Sequence, residues 1–295
     1  MSLPKVSIVI PGYKPGHFEQ CLRSALGQTY ANTEILVSDN CPSEAIKDIC
    51  AKFPGVLYQR NSNTGTRNVL EAFYMGRGEF VKPLFDDDLL HPFCVERMVA
   101  AMAARPEVDM AFSASQVINV DNERREARRP FTHSGSMRGA DLQRTMALGL
   151  CNIVGEFSTI MIRRAKLWDI GWKDLFVIAG HDFTSGLADV AAYCNLTKDS
   201  AAFYVDEELS YFRTDQRLES NSNPASNPNL GYCFSDYIDL LVASHRNAMI
   251  TTEEILARED TVAEVSSRYG VYFAQMGEAQ GRYLDYLGAL RHAPA

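Results

Sequence analysis

The chain has 295 residues, 46% of them hydrophobic and 22% charged, with a formal charge of −8. That length suits one large α/β domain or two small ones around a real core. The acidic balance excludes a nonspecific nucleic-acid binder, which needs a basic face toward phosphate, so no nucleic-acid partner is expected. Seven cysteines, at 21, 41, 50, 94, 151, 194 and 233, include no Cys-x-x-Cys pair. An odd, scattered set predicts reduced thiols and a cytoplasmic protein. The first residues lack a cationic stretch followed by an apolar one, so no signal peptide is expected. No window approaches a membrane span.

In chain order, residues 6–10 are a β-branched run closed by Pro11 and Gly12, a strand followed by a loop. Phe18, Cys21, Leu22, Ala25 and Leu26 then recur at helical spacing. Residues 34–38 predict a second strand, ended by Asp39-Asn40-Cys41-Pro42-Ser43. A helix is expected over 46–53, a third strand over 56–58 and a helix over 69–75. Residues 80–85 predict the strand that delivers Asp86, Asp87 and Asp88. Leu89 onward reads as the approach to a helix over 93–102, followed by a strand at 110–113. Strands alternating with helices at this pitch imply crossover units, hence an α/β fold with a mostly parallel sheet over residues 1–115. From 116 to 218 the pattern is more mixed. The charged stretch 122–129 reads as an exposed hairpin or loop, and 157–163 and 203–212 as strands. Residues 220–229, rich in Ser, Asn and Pro, suit an extended connection. Beyond them Tyr237, Ile238, Leu241 and Val242 repeat at helical spacing. Thr251 and Glu254 offer a capping box, so 219–295 reads as a linker and a helical C-terminal extension.

The aspartate triplet needs a physical explanation. Three adjacent carboxylates repel one another, and no Lys or Arg stands on their immediate flanks. Such a group is tolerable in water, with some members protonated, or around a divalent cation. A solvated turn is the plain alternative. Here, however, an apolar strand runs into the triplet, and apolar residues resume at Leu89. Strand C-termini in open α/β sheets are where ligands bind, so a metal site is expected.

Taken in order, these pieces resemble a family 2 glycosyltransferase of the GT-A fold over residues 4–215. Val6-Ser-Ile-Val-Ile-Pro-Gly-Tyr13 is similar to the family's first strand and loop, and Cys21-Leu-Arg-Ser-Ala-Leu-Gly-Gln-Thr-Tyr30 to its Gln-Thr-Tyr helix. Glu34-Ile-Leu-Val-Ser-Asp39 resembles the strand that presents an acid to the nucleotide base. Gly78-Glu-Phe-Val81, the triplet and His91-Pro92 resemble the metal-binding segment. The chain departs from the family at Asn40, which replaces a second acid, and in a shortened Asn63–Asn68 loop. It departs again at Phe85, where an aspartate is common, and this leaves two registers open inside the triplet.

The resemblance implies the roles of particular residues. Asp86 and Asp88 would form the metal-binding pair for Mn2+ or Mg2+, with Asp88 the first choice. Asp87 would ligate through water or hold the ribose or donor sugar. Pro11 and Tyr13 would line the base and ribose pocket. Asp39 would accept from the base's imide N–H, favouring uracil or thymine, or else be a strand-end turn residue. Arg67 would neutralise phosphate or base oxygens, or serve structurally at a helix start. Asp182, in Gly180-His-Asp-Phe183, would be the general base or a helix N-cap, with Glu156 a weaker candidate. No second histidine lies at ligand spacing from His181, which argues against a metal role for it.

The expected activity is inverting transfer of one sugar from a UDP- or dTDP-linked donor to a glycan or lipid-linked acceptor in surface polysaccharide biosynthesis. The alternatives are a catalytically silent sugar-nucleotide binder and a metal-dependent phosphohydrolase or nucleotidyltransferase. A lipid-linked acceptor would bring peripheral contact with the inner membrane face. The C-terminal helices would mediate that contact or homo-oligomerisation.

Overall fold

The computed structural model of the chain describes residues 3–214, 227 and 230–292. Two compact units are formed. The first combines the chain up to Met137, Val154–Trp172 and the stretch from Ser200; the second combines Arg138–Ile153, Lys173–Asp199 and the C-terminal part.

The first unit opens with β1 (Val6–Gly12), α1 (Phe18–Leu26), β2 (Thr33–Asp39), α2 (Ala45–Cys50), β3 (Val56–Arg60), α3 (Thr66–Met75) and β4 (Phe80–Pro83). Strands β3, β2, β1 and β4 lie side by side, all parallel, with Val6 opposite both Thr33 and Phe80. Every residue of β1 and β4 is buried, as expected of parallel strands covered on both faces. Phe18, Cys21, Leu22 and Ala25 of α1 join Val6, Ile8, Ile10, Ile35 and Val37 in one apolar core. The turn into β4 passes so close to β1 that a Cβ on Gly78 would lie 2.5 Å from the Lys5 carbonyl oxygen. Because the four strands are parallel, the ends at Gly12, Asp39 and Pro83 emerge on one edge of the sheet.

The chain continues through β5 (Leu89–Leu90), α4 (Cys94–Ala103), β6 (Val108–Ile118), β7 (Arg124–Arg128), β8 (Gly135–Arg138) and β9 (Ile160–Arg163). After the short hairpin of the second unit, β10 (Val177–Ile178) and β11 (His181–Asp182), it returns as β12 (Ala201–Arg213). Strand β9 runs antiparallel between β4 and β6, and β12 lies parallel to β6. The expected hairpin at 122–129 is the β6–β7 turn and β7.

Several boundaries differ from expectation: the helix expected over 46–53 ends at Cys50, the one expected over 69–75 starts at Thr66, and the strand expected at 110–113 spans Val108–Ile118. Three further differences bear on the site. The strand expected to reach residue 85 ends at Pro83, since Leu84 onward turns to present the aspartates. Residues 157–159, expected in a strand, form a 3-10 turn, because the Thr159 hydroxyl donates back to the Val154 and Glu156 carbonyls. Leu89 and Leu90 form a strand, not a helix approach, by pairing antiparallel with Ser210 and Tyr211 of β12.

The second unit is mainly helical, with Gly139–Gly149, Ala188–Thr197, Leu230–Arg246, Thr252–Leu256, Glu259–Gly270 and Gln275–Arg291. The capping box is present: the Thr251 hydroxyl accepts from Glu254 N–H, and the Glu254 carboxylate accepts from Thr251 N–H. The connection expected at 220–229 lies, Asn227 apart, outside the described residues. No described helix is long and apolar enough to cross a membrane.

Candidate functional site

Just past β4 the chain makes a tight turn in which Asp88 N–H donates to the Phe85 carbonyl at 3.0 Å. Each aspartate of the turn has different partners. Asp86 Oδ2 accepts from the backbone N–H of Tyr13 and of Lys14, both at 2.6 Å, so the loop after β1 closes onto it. Asp87 Oδ2 faces Lys14 Nζ at 3.2 Å. Asp88 Oδ2 accepts from the Ser158 hydroxyl at 2.5 Å, and its Oδ1 accepts from Arg213 N–H at 3.0 Å. Ser158 Oγ also accepts from Phe85 N–H at 3.0 Å, so one hydroxyl clamps both ends of the turn.

Two buried cations support this turn without touching its carboxylates. Lys82, fully inside the protein, donates through Nζ to the carbonyls of Ser158 (2.7 Å) and Pro83 (2.8 Å). Arg213, 1% exposed, donates through Nε to the Asp87 carbonyl (2.8 Å) and through its terminal nitrogens to Asn119 O and Asn122 Oδ1 (2.7 Å each). Their N–H groups fix backbone and amide oxygens, so among the described residues the cation in direct contact with a triplet carboxylate is Lys14, beside Asp87. Burial, and then the neighbouring Asp87 charge, push the Asp86 carboxyl up to about 6. The same two causes push Asp88 well above the carboxylate range.

This arrangement fits a hard divalent cation. The oxygens are all carboxylate, and a cation there relieves exactly the repulsion that raises both acids. Among the described residues Asp86 Oδ1 and Asp87 Oδ1 accept no hydrogen bond.

The ends of β1 and β2 carry the other expected ligand residues. Pro11 is buried opposite Ser38 in β2, whereas Tyr13 is 52% exposed in the loop. Asp39 is fully buried and already holds three donors: Cys41 N–H (2.7 Å), the Tyr58 hydroxyl (2.7 Å) and Arg60 Nη1 (3.1 Å). Asn40 donates to the Asn63 carbonyl and accepts from the Asn68 side chain. A carboxylate there could not donate, which explains an amide where the family commonly has an acid. Arg67 is exposed in the first turn of α3.

The sequence profile of Glycosyl transferase family 2 matches residues 7–171, more than half of the chain. The chain belongs to glycosyl transferase family 2. The chain is similar to an uncharacterized glycosyltransferase of Haemophilus influenzae, 22% identical over 261 residues that cover 85% of this chain and 83% of that one. An uncharacterized protein of Mycobacterium tuberculosis is 27% identical over 241 residues, covering 77% and 72%. Among solved structures, S. aureus TarS 1–349 in complex with UDP-GlcNAc superposes with a TM-score of 0.63 at 14% identity, over 96% of this chain and 81% of that one. The likeness agrees with the GT-A fold class expected for a family 2 member.

The remaining family 2 candidates sit in different units. Glu156, in the first unit, is ion-paired through Oε1 with Arg128 and keeps a buried Oε2 without a hydrogen bond. Asp182, in the second, is exposed at the end of the β10–β11 hairpin. Its Oδ1 accepts from the N–H (2.9 Å) and hydroxyl (2.5 Å) of Thr184. Asp182 lies in a strand ahead of a turn, so it is not the N-cap of a helix. Sequence reasoning missed Lys82, Ser158 and Arg213 as supports of the triplet, and Tyr58 and Arg60 as partners of Asp39. Lys82 alone left a signal, a lone lysine inside an apolar strand.

Proposed function

We propose that the protein is an inverting, metal-dependent transferase that moves one sugar from a UDP- or dTDP-linked donor to a hydroxyl of a glycan or lipid-linked acceptor in surface polysaccharide assembly. The observation that carries this reading is the aspartate triplet at the end of β4, in which Asp86 and Asp88 are buried and are pushed up by burial and by the Asp87 charge. Asp86 and Asp88 would hold Mn2+ or Mg2+, with Asp87 ligating through water or holding a sugar hydroxyl. Bound there, such a cation supplies Lewis acidity to the departing diphosphate.

The chain's own residues do the rest. The amides of Tyr13 and Lys14 orient Asp86, and Ser158 orients Asp88. Pro11 and the exposed ring of Tyr13 line the base and ribose, and Arg67 meets phosphate or base oxygens. Asp39 reads the base imide once the partly exposed Arg60 turns away from it. Asp182 takes the acceptor proton through Oδ2, its carboxylate held in orientation by Thr184. Glu156 is the second candidate for that step. TarS, solved with UDP-GlcNAc and with UDP, supports the donor class. The seven cysteines, all unpaired, suit a reducing compartment, with a lipid-linked acceptor met at the inner membrane face.

A panel of sugar nucleotides, assayed for binding and hydrolysis with Mn2+ and with Mg2+, tests the reading. At least one uracil or thymine donor should bind in a metal-dependent way. Failure of every donor with both ions would sink it.

A further inference from the structure

Three side chains of the second unit converge from two segments far apart in the chain. His181 stands on β11, and Asp236 and Asp239 stand one turn apart on one face of the helix Leu230–Arg246. His181 Nε2 lies 4.0 Å from Asp236 Oδ1 and 3.9 Å from Asp239 Oδ2, and one ligand atom from each residue falls within 4.8 Å of the others. Atoms bound to one small cation at about 2.1 Å sit roughly 3.0–3.5 Å apart. The widest separation must therefore close by roughly 1.3–1.8 Å, which is under about 1 Å when two side chains share it.

The surroundings favour a ligand at this position. Leu187 N–H donates to Asp236 Oδ2 at 3.1 Å, which turns Oδ1 toward the imidazole. The chain reaches Asp236 only because residue 186 is glycine; a Cβ there would lie 2.4 Å from that Oδ2. Both carboxylates are 5% exposed, and among the described residues Asp236 Oδ1 accepts no hydrogen bond within 3.5 Å. A cleft of about 290 Å³, lined by His181, Asp239, Arg246, Arg282, Asp285 and Tyr286, adjoins them. Asp239 holds Arg282 through both oxygens, at 3.0 and 2.6 Å, but the Arg282 side chain is 51% exposed. A half-exposed guanidinium turns into water at small cost.

We propose that His181, Asp236 and Asp239 form a second divalent-cation site, made of other residues than the aspartate triplet and taking a Zn2+-class ion through one imidazole nitrogen and two carboxylates. The mixed nitrogen and oxygen set selects Zn2+, Co2+ or Ni2+ over Mg2+. Binding releases the proton of a protonated imidazole, so it strengthens as pH rises, and it moves Arg282 off Asp239. The ion ties the β10–β11 hairpin to the helix Leu230–Arg246. The proposal stands whether or not the triplet binds metal.

The test is titration of chelator-stripped full-length protein with Zn2+ alone, by equilibrium dialysis, with Co2+ substituted to read the visible absorption of a bound ion. Asp88→Asn should keep this equivalent of Zn2+. His181→Ala and Asp236→Asn should each weaken it by roughly tenfold or more. Arg282→Met, which removes a competitor and no ligand atom, should bind at least as tightly as the parent chain at a pH where the imidazole is neutral. That variant keeps the test decisive if a ligand variant fails to fold. An unchanged affinity in His181→Ala, or a weakened one in Arg282→Met, overturns the site.

Discussion

In the first unit, Asp86 and Asp88 are buried against neutral donors, two backbone amides on one and a hydroxyl and an amide on the other. In the second, Asp236 and Asp239 face charged partners, His181 and Arg282. Burial, and then the Asp87 charge, raise Asp86 and Asp88, and the hydrogen bonds from neutral donors offset that rise only in part. Lys82 and Arg213 could have cancelled it, but their N–H groups go to carbonyl and amide oxygens. The first cluster is thus ready for a cation. The second must exchange one cation for another.

The largest effect that separates the two should come from Asp88→Ala. It removes a proposed ligand at the triplet and should lower metal-dependent turnover by at least about 100-fold, with the far-ultraviolet circular dichroism unchanged. Near-parental kcat would take Asp88 out of the site. Next comes Ser158→Ala, which frees Asp88 Oδ2 and leaves Phe85 N–H without its partner. Affinity for Mn2+ should fall by about 10- to 100-fold, read by titration without substrate, and Ser158→Thr should recover most of it. Equal loss in both variants would mean that packing, and not the hydroxyl, sets the affinity.

Much of the first unit was legible because its signals are local. The β-branched run at 6–10, the acid-ended run at 34–38 and the helical spacing of Phe18, Cys21, Leu22 and Ala25 each depend on neighbours within a few residues. The supports of the triplet were not legible for the opposite reason. Arg213 reaches Asp88 across 125 residues and Ser158 reaches it across 70, and nothing near either residue marks that meeting. Strand β9 enters the sheet between β4 and β6 by pairing with segments distant in the chain. His181 shows the same limit. A search for a second histidine nearby misses two carboxylates carried on a later helix. Asn40 is intelligible only beside Asn63 and Asn68, where an amide serves as donor and acceptor at once.

The pH dependence of stability sharpens the contrast. The Asp86 carboxyl sits at about 6 in the folded protein, against roughly 3.9 in an unfolded chain. Between those values the folded chain keeps a proton that the unfolded chain has lost, so stability falls as pH rises, by on the order of 3 kcal/mol. Asp86→Asn should lack that fall, and Mn2+ should suppress it in the parent. His181 is raised by its Asp236 partner. Its contribution is complete below about 6.5 and is lost as pH rises through the raised value. That second fall should persist in Mg2+ and vanish in His181→Gln. Urea midpoints across this range, with and without each ion, distinguish the two.

The smallest effect, and the sharpest on the second cluster, is that of Arg282→Met on stability without metal. Losing a fully buried partner would cost several kcal/mol, but Arg282 is half exposed and its pairing is screened by water. About 1 kcal/mol is expected, read as a lower urea midpoint with an unchanged slope. The loss should be recovered by Zn2+ and not by Mg2+, because the vacated Asp239 oxygens then serve the ion as they served the guanidinium. Recovery by both ions alike would mean that any counter-charge suffices, and that the cluster balances charge without selecting a metal.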